Sequence, residues 1–170
     1  YFVGGDAKLK ESISTLIEGL KGAKEYGSLL TVSSVDFHDL YVRFDEIDRD
    51  VHFLRDATLK NLLPFVRQVH VLSERYHVVV TNPPYLNKYN DTLKSFVRNM
   101  YKGYSADLFS CFMYRNFDFC LPNGYSAFMT PFVWMFIKSY EKLRDFIISE
   151  KAITCLIQME YSAFEQATVP

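Results

Sequence analysis

The residues with the most specific chemistry are Asn82, Pro83, Pro84 and Tyr85, which follow one another in the sequence. Two consecutive prolines fix φ and remove two N–H donors, while their carbonyls remain as acceptors. The proline after Asn82 also biases that residue toward extended backbone. Asn82 adds a side-chain amide oxygen, a further acceptor. The result is a stiff ledge rich in acceptors, with an aromatic ring beside it. Such a ledge suits a planar group that bears an NH2. The Asn82 side-chain oxygen and the Pro83 carbonyl can each accept one N–H, and Tyr85 can stack on the ring. An amine on an aromatic base is a poor nucleophile, because its lone pair is delocalised into the ring. Two acceptors held out of the ring plane favour a tetrahedral nitrogen and free that lone pair. In-line attack on a methyl sulfonium then needs positioning more than acid–base help.

The elements around the ledge must hold it in place. His77 leads into Val78, Val79 and Val80, a β-branched run that predicts a strand buried on both faces. In an open parallel sheet, ligands bind outside the carboxyl ends of the strands, and the ledge falls there. Apolar spacing predicts helices over 7–26, 55–73, 91–101, 106–121 and 133–148, with an interruption near Pro64. The helix over 106–121 is apolar nearly all round and reads as wedged between layers. In the helix over 133–148, Phe136, Tyr140, Leu143 and Ile147 are expected to face inward. Strands are predicted over 28–33, 125–129 and 153–159, with a turn at Pro122, Asn123 and Gly124. Residues 35–50 read as irregular. Strands alternating with helices argue an α/β fold with a parallel sheet and right-handed crossovers.

Composition narrows the class. The chain has 170 residues, 49% hydrophobic and 23% charged, which excludes a disordered chain. The formal net charge is −1. A free-standing clamp on nucleic-acid phosphates should be clearly basic. No apolar run approaches the roughly 20 residues that a membrane helix needs, and no secretory signal is legible. Cys111, Cys120 and Cys155 are widely spaced, which fits buried thiols in a reducing compartment, and the four histidines show no metal-ligand spacing. The expected setting is cytoplasmic, with no metal and no membrane partner.

The segment Val78-Val79-Val80-Thr81-Asn82-Pro83-Pro84-Tyr85 resembles the catalytic motif of class I S-adenosylmethionine-dependent methyltransferases that modify N6 of adenine in DNA. The resemblance continues through Ser105-Ala106-Asp107-Leu108-Phe109, then Asn123-Gly124-Tyr125-Ser126-Ala127-Phe128-Met129-Thr130-Pro131, then Trp134 and Tyr140-Glu141-Lys142-Leu143-Arg144. Upstream, Ala23-Lys24-Glu25-Tyr26-Gly27-Ser28-Leu29 is also similar. Within the family the likeness is to the adenine methyltransferases of bacterial BREX phage-defence systems and of combined (type IIG) restriction–modification enzymes. It implies a Rossmann-like sheet with flanking helices, incomplete here because the first strands and the last strand are missing. It implies S-adenosylmethionine as cofactor, double-stranded DNA with a flipped-out adenine as substrate, and defence-system subunits as possible partners. By resemblance, Asn82 and Pro83 accept the two N6 hydrogens, Pro84 stiffens the loop, and Tyr85 stacks on the adenine. Phe164 is a second aromatic against the base, and Asp107 and Phe112 line the cofactor pocket.

The departures from the family bear on organisation. Its glycine-rich cofactor loop is not found; Val3-Gly4-Gly5-Asp6 has the wrong spacing and no buried strand before it. Asp36-Phe37 loosely resembles the acidic–aromatic pair that touches the cofactor's adenine. The expected organisation is a helical region over 1–75 and the catalytic half of a methyltransferase domain over 76–170, one partial domain overall, cut from a longer protein. Two other functions stay open from the residues. One is methylation of a glutamine amide in protein or of adenine in RNA, since a planar NH2 fits each. The other is a catalytically inactive piece with a binding role only.

Overall fold

The computed structural model describes residues 1–86 and 88–159. The chain divides into two compact units, Tyr1–Arg75 and Tyr76–Pro170.

The first unit is helical: α1 (Ala7–Gly19), α2 (Ala23–Tyr26), α3 (Phe37–Asp48) and α4 (Arg55–Ser73). The single helix predicted over 7–26 is broken at Gly22, whose φ of +79° is left-handed. A Cβ there would lie 2.5 Å from the Tyr26 ring, so the turn requires glycine. The strand predicted over 28–33 does not form. Gly27–Leu29 is a 3-10 turn, and Leu29, Leu30 and Val32 are buried without a ladder. Residues 35–50, read as irregular, hold α3. Asp36 caps it by accepting the His38 N–H at 3.2 Å. Phe37, Leu40, Phe44 and Ile47 are its buried residues, a helical stripe masked by the charges between them. Asp36 and Phe37 are therefore a cap and a core residue, and the Phe37 ring stacks on His70 at 4.2 Å. Pro64 lies within α4, which runs through as one element; Val66 and Val69, fully buried just beyond it, hold the second half in place.

The second unit contains β1 (Tyr76–Thr81), α5 (Asp91–Met100), α6 (Leu108–Asp118), β2 (Cys120–Phe128) and α7 (Glu141–Glu150). The strands form a two-stranded parallel sheet, with Val78 opposite Tyr125 and Thr81 opposite Phe128. The register slips between Tyr76, which faces Cys120, and Val78. Pro122, Asn123 and Gly124, predicted as a turn before the strand, and Leu121, predicted as the end of the preceding helix, form that irregularity inside β2. A Cβ on Gly124 would come within 2.9 Å of the His77 and Leu121 carbonyl oxygens, so glycine permits the close approach.

The strand predicted as buried on both faces is covered on one. Val79 is half-buried, while Val78 and Val80 are 59% and 72% exposed. The covered side meets α6, where Phe117 packs on Phe128 at 5.4 Å. The same stripe of α6, Phe109, Met113 and Phe117, also meets α7 and the segment leading into it, with Phe109 and Tyr140 rings 5.3 Å apart and Phe117 and Phe146 rings 5.7 Å apart. As its apolar sequence predicts, α6 is buried on most of its surface, with Leu108, Phe109, Cys111 and Met113 buried. The helix predicted over 133–148 is three pieces: 3-10 turns at Phe132–Met135 and Lys138–Tyr140, then α7. Tyr140, Leu143 and Ile147 are inward as expected, but Phe136 is 70% exposed because the break rotates it off the stripe. No strand forms over 153–159. Residues 151–159 are exposed, and among the described residues they find no ladder partner, without which a strand does not persist. Of the cysteines, Cys111 is buried, Cys120 half-buried and Cys155 exposed. Among the described residues no helix is long and apolar enough to cross a membrane, and no group of His, Cys, Asp and Glu could hold a metal ion.

Candidate active site

Parallel strands end on the same side, so residues 82–85 after β1 lie beside residues 129–131 after β2. The ladder continues one step into this edge: the Met129 N–H donates to the Thr81 carbonyl at 3.1 Å. Asn82 and Pro84 are exposed, Pro83 is buried and Tyr85 is half-buried. The Tyr85 ring stands edge-on to Phe109, 6.4 Å away at 84°, within the cluster that α6 and α7 build. Burial raises the Tyr85 phenol above its ordinary pKa, so it stays a neutral donor.

Its hydroxyl lies 2.9 Å from the Asn82 Oδ1 and 2.9 Å from the Met129 carbonyl. One hydroxyl carries one proton, so it donates to one of these acceptors at a time. The Asn82 oxygen therefore has an internal donor that can be handed to Met129 when another donor arrives. No donation is lost in that exchange. The sequence reading treats Tyr85 as a stacking ring and misses this second role for its hydroxyl. Met129 takes part through its backbone alone, its N–H donating to Thr81 and its carbonyl accepting from Tyr85, so its side chain carries no signal of this role.

Asp107 is buried at 8% exposure and is the N-cap of α6. Its Oδ1 accepts the Phe109 N–H at 3.2 Å and the Leu86 N–H at 3.0 Å. Ser110 completes a capping box, its hydroxyl oxygen accepting the Asp107 N–H at 3.3 Å. The same hydroxyl can donate to the Tyr104 or Asp107 carbonyl. Asp followed three residues later by a hydroxyl, just before an apolar helix, is a legible start signal that could have pointed to the cap. Phe112 is half-buried on α6. Phe164 lies outside the described residues.

Behind the ledge, burial keeps a thiol and two phenols neutral. Burial pushes the Cys111 thiol up to about 12, with the Asp107 charge adding to the rise, so it is no nucleophile. Burial also raises Tyr140 and Tyr89. The Tyr89 hydroxyl is buried without a hydrogen-bond partner among the described residues.

Among the described residues no glycine-rich loop stands at the end of a strand, where the resemblance expects one for S-adenosylmethionine. Gly4 and Gly5 are exposed in a turn before α1 and follow no strand. None of the described glycines follows the end of β1 or β2. What this part of the chain builds is a ledge, Asn82 to Tyr85, at the ends of two parallel strands.

Comparison with known proteins agrees in kind. The model of the Eco57I restriction-modification methylase family matches residues 21–164. The chain is 31% identical over 149 residues to the adenine-specific methyltransferase BrxX of Escherichia coli O9:H4 (strain HS), which is 85% of this chain and 12% of that protein. It is 31% identical over 166 residues to the adenine-specific methyltransferase PglX of Lacticaseibacillus casei (strain Zhang), 91% of this chain and 14% of that protein. The chain thus spans about an eighth of the length of these relatives.

Proposed function

Since the chain belongs to the Eco57I restriction-modification methylase family, we propose that it carries the acceptor half of a methyltransferase that places a methyl group on N6 of adenine in DNA, within a bacterial restriction–modification or phage-defence system. The observation that carries this reading is the ledge of residues 82–85 beyond the carboxyl end of β1, beside the end of β2. The two relatives, both named adenine-specific methyltransferases, support it.

The adenine leaves the duplex at a cost of a few kcal/mol for the flipped nucleotide. Its amine then faces Asn82 and Pro83. The Asn82 Oδ1 accepts one N–H as the Tyr85 hydroxyl turns to the Met129 carbonyl, 2.9 Å from it. The Pro83 carbonyl accepts the other. Pro84 holds φ at this point, and the Tyr85 ring, braced by Phe109, offers its face to the base. The nitrogen lone pair is thereby drawn out of the ring system. S-adenosylmethionine, when bound, supplies an electrophilic methyl group, and on this chain Asp107 and Phe112 are assigned to its side. Phe164 is assigned to the base. We read β1 and β2 as part of a wider Rossmann-like sheet, residues 76–170 as the catalytic part and residues 1–75 as a helical region before it. The cytoplasm is the expected setting.

The test is methyl transfer from labelled S-adenosylmethionine by the full-length protein. Label is expected in DNA as N6-methyladenine. Label found in protein or RNA and never in DNA would overturn the substrate. Asn82→Ala removes one of two acceptors and should lower turnover by on the order of 10²- to 10³-fold, the scale for losing one preorganised group at a reacting centre, with DNA affinity retained. Turnover within tenfold of wild type would remove Asn82 from its assigned role.

A further inference from the structure

We infer that Asp107 is a positioning residue for the ledge: its buried carboxylate locks Leu86, and with it Tyr85 and Asn82, to the first turn of α6. The inference rests on the reading of residues 82–85 as the acceptor site and adds to it a part that this reading does not assign.

The backbone of the ledge has little with which to hold itself. Pro83 and Pro84 have no N–H, so neither can be tied by a backbone donor. The segment must be pinned at its ends. At the first end, the Thr81 carbonyl accepts the Met129 N–H at 3.1 Å, the last rung of the ladder. At the second end, both peptide groups of Leu86 are bound to the start of α6. Its N–H donates to the Asp107 Oδ1 at 3.0 Å, and its carbonyl accepts the Leu108 N–H at 2.8 Å. The Leu108 N–H is one of the first-turn donors that a helix leaves without an internal partner, so the loop and the helix end complete each other.

A single oxygen serves both sides of this joint. The Asp107 Oδ1 accepts from Leu86 in the loop and from Phe109 in the helix. The position that caps α6 therefore also fixes where Leu86 can lie. Ser110 stiffens the clamp by accepting the Asp107 N–H and donating to the Tyr104 or Asp107 carbonyl. Between the two pinned ends stands the Tyr85 hydroxyl, shared by Asn82 and Met129. If Leu86 is released, that hydroxyl no longer has a fixed reach to either acceptor.

Asparagine keeps an acceptor oxygen and caps helices as well as aspartate does; alanine keeps neither. In the full-length protein, Asp107→Ala should lower kcat by about 30-fold at saturating DNA and cofactor, in addition to any rise in the KM for S-adenosylmethionine that its assigned place on the cofactor side brings. Asp107→Asn should recover kcat to within about threefold. Hydrogen exchange at the Leu86 amide supplies a readout independent of activity. It should quicken at least tenfold in Asp107→Ala and stay near the wild-type rate in Asp107→Asn. Wild-type exchange at Leu86 in Asp107→Ala would overturn the clamp. So would a loss confined to the cofactor KM, which would make Asp107 a cofactor contact alone. If Asp107→Ala does not fold, Asp107→Asn decides: a protected Leu86 amide supports the clamp, and a freely exchanging one overturns it. A wild-type protein that labels no DNA would defeat the substrate reading while leaving the exchange test intact.

Discussion

In the unit Tyr1–Arg75, Leu16, Leu40, Ile47, Val66 and Val69 are each 1% exposed or less, and they come from three helices that bury one another's stripes. In the unit that begins at Tyr76, helix residues are buried as deeply, Phe109 and Leu143 at 1%, but Val78, Val80 and Tyr125 on the sheet are 59%, 72% and 64% exposed. The difference follows from how each element satisfies its backbone. A helix bonds its own N–H and C=O groups, so a few helices can close a core without outside help. A strand depends on neighbours both for its ladder and for cover on each face. The unit with the exposed sheet is not the less apolar of the two, so the contrast rests on backbone bonding and not on composition. The ledge of residues 82–85 is found where strands end, on the unit whose sheet is less completely covered.

The sharpest way to break this comparison is to open the closed core. Leu40 is fully buried in α3. Leu40→Ala in the 170-residue chain should destabilise it by about 2–5 kcal/mol, the lost transfer energy plus a cavity, as read by urea unfolding. Hydrogen exchange should quicken across α3 and α4 and leave β2 at its former rate. A loss under about 1 kcal/mol, or faster exchange in β2 alone, would dissolve the distinction between the units.

A smaller effect is expected where the two strands approach most closely. A Cβ on Gly124 would sit 2.9 Å from the His77 and Leu121 carbonyl oxygens and 3.2 Å from that of Tyr76. All three are backbone atoms, so the chain itself must shift. Gly124→Ala should cost roughly 1–3 kcal/mol, the usual scale of overpacking. The loss should be greatest in amide protection over Tyr76–Thr81, because the irregular register between Tyr76 and Val78 is what the glycine permits. Unchanged protection there would show that the register does not depend on Gly124.

How much of this was legible in the sequence depends on whether a signal is local. The ledge was legible because its properties belong to its own residues: two prolines, an amide and a ring in consecutive positions. The starts of α4, α5 and β1 were legible from period and β-branching. The stripe of α3 was present at Phe37, Leu40, Phe44 and Ile47, but Asp39, Arg43, Asp45 and Glu46 between them disguised it as a polar loop. The break before α7 and the absence of a strand over 153–159 were not legible, since both depend on partners elsewhere. Asp107 shows the same divide within one residue. Its capping role can be read from Ser110 three positions on, whereas its bond to Leu86 joins residues 21 positions apart and appears only in the fold.

The smallest expected effect is also the most direct probe of the open face. Val80 presents a β-branched side chain of which 72% remains exposed. Val80→Thr keeps the shape and the strand preference and replaces one methyl group by a hydroxyl. On a bare face that hydroxyl meets water, so stability of the 170-residue chain should change by less than about 0.5 kcal/mol. On a covered face the same hydroxyl would lose its hydration without gaining a partner and cost about 1–3 kcal/mol. Because the two outcomes differ by more than unfolding experiments leave uncertain, one substitution decides whether a strand that reads as buried on both faces is covered on one. A cost above 1 kcal/mol would return Val80 to a core and erase the contrast between the sheet and the helical unit.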